Sequence, residues 1–131
     1  MEIRGLDHLV LTTENLSRCL DFYGRVLGLT VEETSGRYAI RFGRQKINIH
    51  RRPAEFLPAA GWPLAGSLDL CFAVAGDVRA TMAALQEKGA VILRGPVPRH
   101  GANGEMQSLY LRDPDGNLVE LGFYTDDPTP G

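Results

Sequence analysis

Cysteines, long apolar runs and excess charge of either sign are all scarce in this chain, and each scarcity removes a class of protein. Only Cys19 and Cys71 occur among 131 residues, with no CxxC spacing, so the disulfide framework of a small secreted domain is not expected. Cys19 lies beside Leu20 and Phe22, and Cys71 lies in the run Leu70-Cys71-Phe72, so both read as small buried hydrophobes. No run approaches the length of a transmembrane helix, and Met1 to His8 has no apolar stretch of the kind a secretory leader carries, so a cytoplasmic location is expected. The formal net charge of −2 gives no general attraction to nucleic acid or to an anionic membrane, and neither is expected as a partner. Arg51 and Arg52, with Arg44 and Lys46 nearby, form a basic cluster too short to change this and read as a solvated strand end.

What is present suits a globular body: 44% apolar and 23% charged residues are ordinary values, and a chain of this length can bury roughly two-thirds of its unfolded surface. Leu6 to Thr12 mixes aliphatic and β-branched residues and reads as a strand, after which Thr13, Glu14 and Asn15 supply capping chemistry. Leu16, Leu20, Tyr23 and Leu27 recur at helical spacing, widened by Phe22 and Val26, and Gly28 is placed to end that helix. Strands are expected from Leu29 to Glu33, Arg37 to Phe42 and Ile47 to His50, the last two forming a hairpin around Gly43. Between Arg52 and Gly66, Pro53, Pro58, Pro63, Gly61 and Gly66 mark a connection.

The same order then recurs. Leu68 to Val74 reads as a strand, Asp77 as an N-cap, Val78, Met82 and Leu85 as a helical stripe, and Gly89 as its end. Ala90 to Leu93 is expected as a strand, Gly95 to Gly104 as a polar loop, and Gln107 to Leu111 with Leu118 to Phe123 as a hairpin around Asp113-Pro114-Asp115-Gly116-Asn117. Two landmark pairs keep one offset, since 69 − 8 and 89 − 28 both equal 61. The expected organisation is one domain with a first module at 1–52, a connection at 53–66, a second module at 67–124 and a tail at 125–131, the modules sharing a core with a cavity between them.

Glu120 draws notice first, because it lies inside Leu118-Val119-Glu120-Leu121, where burying an unpaired carboxylate is costly. It faces solvent or it has a cation. His8 shares a strand face with Leu6 and Val10, and His50 ends a strand beside Arg51; taken singly, each also suits a structural role. Matching the ends of the two hairpins pairs His50 with Glu120, and matching the first strands pairs His8 with Asp69. Imidazole nitrogens and carboxylate oxygens suit Zn, Ni, Mn or Fe(II), and two histidines with one carboxylate match the facial triad of oxygen-activating iron sites.

These positions, together with Leu-Asp-Phe-Tyr-Gly-Arg-Val-Leu-Gly-Leu at 20–29 and Leu-Arg-Asp-Pro-Asp-Gly-Asn-Leu-Val-Glu-Leu at 111–121, resemble the vicinal oxygen chelate superfamily. That group holds glyoxalase I, fosfomycin-resistance proteins, extradiol dioxygenases and bleomycin-binding proteins. The segments at 43–50 and 66–72 are most similar to the glyoxalase-domain-containing protein 5 type. The resemblance implies an α+β fold of two βαβββ modules forming a curved, partly closed mixed sheet around a cavity. It also implies a divalent metal, with His8 and Glu120 on dependable ligand positions, His50 on a third, and Asp69 where glyoxalases and fosfomycin enzymes usually carry histidine. Tyr110 falls where fosfomycin enzymes place an active-site tyrosine. Gln107 precedes it on the same expected strand, and Arg99, His100 and Asn103 lie in the expected polar loop, where selectivity residues often sit. The activity implied is that of a lyase or isomerase whose small-molecule substrate chelates the metal through neighbouring oxygens, with Glu120 and Tyr110 in catalytic roles. An Fe(II) dioxygenase and a ligand-sequestering protein are the alternatives, and a homodimer is expected.

Overall fold

The computed structural model describes residues 1–125, so the tail expected at 125–131 falls outside the described residues from position 126 onward. The chain divides into two compact units, one of residues 1–68 with 114–116 and a second that begins at Asp69. Among the described residues no helix is long and apolar enough to cross a membrane. The strands form two four-stranded mixed sheets, neither closed into a barrel, one from each of the two expected βαβββ modules.

In the first unit, strand β1 (His8–Thr12) leads to helix α1 (Leu16–Leu20), which continues as a π-helical segment (Asp21–Val26). Strands β2 (Thr30–Thr34), β3 (Arg37–Phe42) and β4 (Gln45–His50) follow, and the sheet order is β1-β4-β3-β2 with β1 parallel to β4. Asn15 caps α1, its side-chain oxygen accepting the Arg18 N–H at 3.0 Å. The wider turn is marked by the Leu27 N–H donating to the Phe22 carbonyl, five residues back, at 2.9 Å. A helix reaching Gly28 is therefore only partly α-helical. Its buried set is Cys19, Phe22, Tyr23 and Val26, a spacing of three, one and three, while Leu16, Leu20 and Leu27 lie at the margin. That stripe faces the apolar side of the sheet, where Leu11, Ile40, Ile47 and Ile49 are at most 2% exposed.

The second unit repeats the topology. Its elements are β5 (Asp69–Ala73), α2 (Val78–Glu87), β6 (Arg94–Gly101), β7 (Gly104–Arg112) and β8 (Leu118–Tyr124), ordered β5-β8-β7-β6 with β5 parallel to β8. Asp77 caps α2 by accepting the Ala80 N–H at 2.8 Å. The turn into β8 is held by Asp113, whose carboxylate accepts the Asn117 N–H at 2.9 Å and its side-chain amide at 2.7 Å, both residues being buried. Leu109, Leu111, Val119, Leu121 and Phe123 form the apolar side of this sheet.

Three expectations are corrected here. Ala90 to Leu93 is not a strand, and the stretch expected as a polar loop from Gly95 is mostly strand β6. Pro96 and Pro98 disguise it: proline has no N–H to donate and is tolerated in a sheet on an edge strand, which is where β6 lies. The third is Cys71, which is exposed. Its run Leu70-Cys71-Phe72 alternates between faces, and β5 is the other edge of its sheet.

Gly95 is the tightest point of this edge. It adopts φ +116, and a Cβ there would run into the Ser108 carbonyl oxygen across the β6–β7 pair. Gly95→Ala is expected to cost at least about 2 kcal/mol in urea unfolding; an unchanged unfolding midpoint would show that this edge relaxes freely.

Candidate functional site

Because side chains alternate along a strand, the register of each sheet decides which polar groups can cooperate. In the second sheet Cys71 pairs with Glu120, and Glu120 pairs with Tyr110, so one row across β5, β8 and β7 carries a thiol, a carboxylate and a phenol. Asp69 pairs with Leu118 and is thus a diagonal neighbour of Glu120 on the same face. Arg99 lies on this face too, and its Nε donates to the Tyr110 hydroxyl oxygen at 2.8 Å. With that oxygen accepting from Arg99, the phenol can still donate its own hydrogen to a ligand. Between them in the register is Ser108, fully buried, whose hydroxyl has no partner.

The remaining residues singled out in this unit lie elsewhere. His100 and Gln107 occupy the opposite face from Arg99 and Tyr110, His100 opposite Glu105 and Gln107 opposite Phe123. Asn103 is at the tip of the β6–β7 hairpin, its backbone N–H donating to the Tyr124 hydroxyl at 3.1 Å.

In the first sheet His8 pairs with Lys46 and Thr12 pairs with His50. Both imidazoles share a face, but four positions separate them along the strand pair, about 13 Å at strand rise. One ion does not reach both within this unit. The two registers also revise the match between modules: Glu120 opposite Cys71 corresponds to Asn48 opposite Val10, whereas His50 opposite Thr12 corresponds to Gly122 opposite Ala73. Hairpin ends are a poor guide because β8 runs past the point where β4 stops.

His8 has a partner that sequence reasoning overlooked. Its Nδ1 lies 2.8 Å from an Asp7 carboxylate oxygen, and an ionised carboxylate only accepts, so Nδ1 carries a proton in this contact and Nε2 is left out of it. The hydrogen bond from His8, and then its charge, hold Asp7 below the usual carboxylate range. Among the described residues no three His, Cys, Asp or Glu side chains are grouped as a complete metal cage. The basic cluster is engaged locally: Glu55 accepts the Arg51 N–H at 2.8 Å and ion-pairs with the Arg51 and Arg52 guanidinium groups at 2.7 and 3.4 Å.

The sequence matches the Glyoxalase/Bleomycin resistance protein/Dioxygenase superfamily over residues 5–121. The chain belongs to this superfamily. It is 44% identical over 126 residues to the glyoxalase domain-containing protein RDO1 of Mycosarcoma maydis, covering 96% of this chain and 72% of that one. It is 45% identical over 125 residues to virulence protein STM3117 of Salmonella typhimurium, covering 95% and 87% of the two chains. The crystal structure of STM3117 superposes with a TM-score of 0.91 at 44% identity over 95% of this chain and all of that one. An integron cassette protein from the V. Cholerae mobile metagenome gives 0.90 at 44% identity, covering 95% and 98%. The superfamily's fold is thus that of this chain.

Cys71 reports on the Glu120 row. Although the residue is exposed, its sulfur is partly desolvated by its neighbours, and this, followed by the Glu120 charge, pushes the thiol up to about 11 from 9.0. At any pH well below both values that shift leaves about 100-fold less thiolate. Cys19 is fully buried, so iodoacetamide should label only Cys71 in the native protein, slowly at about pH 8 and faster as pH rises toward its shifted value. A rate that levels off near the ordinary cysteine value would contradict this arrangement.

Proposed function

We propose that the chain is a divalent-metal enzyme of the vicinal oxygen chelate type, a lyase or isomerase acting on a small substrate with two neighbouring oxygens. The observation that carries this is the Asp7–His8 pair, a carboxylate fixing the tautomer of an imidazole whose other nitrogen is thereby set to ligate. The donor types suit a borderline to hard divalent ion, imidazole nitrogen at His8 in the first unit and carboxylate oxygen at Glu120 in the second, while His50 lies four positions from His8 in the register. A bound metal acts as a Lewis acid that polarises the substrate's oxygens.

The chain's own groups do the rest. Tyr110, held by Arg99, donates a hydrogen bond to a substrate oxygen on which negative charge grows. Asp69, diagonal to Glu120, takes a proton from the carbon beside the polarised carbonyl and returns it.

Metal titration by calorimetry with Mn2+ and Zn2+ tests the assignment without knowledge of the substrate. Wild-type protein should bind one ion per chain, Asp7→Asn should weaken it about 10- to 100-fold through loss of the carboxylate that holds His8 Nδ1, and Glu120→Gln should weaken it further. A wild-type protein that binds neither ion, or a Glu120→Gln variant that binds as tightly as wild type, would refute it.

A further inference from the structure

The polar face of the first sheet changes character from one edge to the other. On the β1 side a cavity of about 440 Å³ is lined by Val10, Thr12, Pro58, Trp62, Leu64 and His50, most of them apolar. On the β3 and β2 side a second cavity, of about 340 Å³, is lined by Glu32, Arg37, Lys46, Asn48, Phe56 and His50. His50 belongs to both. Volumes of this size suit small ligands, and an apolar chamber with a few charged groups at one side is the usual composition of a ligand site. Trp62 is 82% exposed and Leu64 51% exposed at the rim of the apolar cavity, large apolar surface with little cover.

The charged cavity has a net positive balance. Glu32 is partly offset by Arg41, whose Nε donates to it at 2.8 Å. Arg37 and Lys46 then remain. The Arg37 guanidinium lies 3.9 Å above the Phe56 ring, so its flat face is held by the aromatic ring while its N–H edge can still donate. His50 packs edge-on against the same ring at 5.3 Å, which fixes its imidazole where the two cavities meet. Ala39, two residues from Arg37 on β3, presents only a methyl group to the charged cavity.

We infer that this face binds an organic carboxylic acid, its apolar body in the cavity beside Trp62 and its carboxylate at Arg37, with His50 at the junction. This deepens the reading above by naming the class of substrate. A carboxylate fits better than a phosphate, because Glu32 lines the same cavity and opposes a second negative charge. Recognition of this kind is independent of the metal donors, which lets the two readings fail separately.

Trp62 is the only tryptophan in the chain, so its fluorescence reports on the apolar cavity directly. The probes are phenylacetate, its neutral analogue phenylacetamide, and phenyl phosphate, each titrated with and without EDTA. Phenylacetate is expected to change Trp62 emission and to bind at least about tenfold more tightly than the amide, with or without EDTA. Arg37→Ala should erase most of that preference, and the charge-keeping Arg37→Lys should restore part of it. Equal binding of acid and amide, no response from Trp62, or tighter binding of phenyl phosphate would overturn the inference. So would a preference abolished by EDTA, which would instead assign the acid to the metal; a preference that survives EDTA in a protein that binds no metal would uphold the inference and refute the metal reading.

Discussion

The register of the two parallel strand pairs is the constraint from which the rest of this structure follows. In a pleated sheet, sliding a strand by one residue exchanges its two faces, and sliding it by two changes which side chains are neighbours on a face. With β1 set against β4 so that His8 meets Lys46, Leu11 and Ile49 go to the core and His8, Asn48 and His50 go to the open face. With β5 set against β8 so that Cys71 meets Glu120, Val119 and Leu121 go to the core and Asp69 joins Glu120 on the other side. Burial of the aliphatic side holds each register, since a one-residue slip would drive isoleucines and leucines into water at about 1.5 to 3 kcal/mol each.

Duplication of one βαβββ unit gives each half the same geometry with different chemistry. At the position opposite Val10 the first unit has Asn48, and at the matching position opposite Cys71 the second has Glu120. The first sheet consequently offers cations, an amide and apolar cover, which suit holding a ligand. The second offers carboxylates and a phenol braced by a guanidinium, which suit moving protons and stabilising an oxyanion.

Local signals were easy to read where local chemistry decides the outcome. Asn15 and Asp77 cap their helices as their side chains suggest, and β3 runs from Arg37 to Phe42 as its alternation suggests. Features set by a partner strand were not legible. β6 was hidden by Pro96 and Pro98, whose tolerance depends on lying at a sheet edge, and the exposure of Cys71 depends on β5 being the opposite edge. The pairing of His50 with Glu120 fell for the same reason, because matching modules requires the parallel register and not the ends of hairpins. Asp7 was adjacent to a candidate ligand throughout, yet its contact with Nδ1 becomes informative only once the ring orientation is known.

The central claim is that Nε2 of His8 and the carboxylate of Glu120 are metal donors while His50 is a ligand-facing residue. Anomalous diffraction from crystals soaked in Mn2+ tests it most directly. The account predicts manganese density against His8 Nε2 and against a Glu120 oxygen, with none against His50. A peak on His50, or a Glu120 carboxylate without metal while His8 turns its Nδ1 away from Asp7, would contradict it.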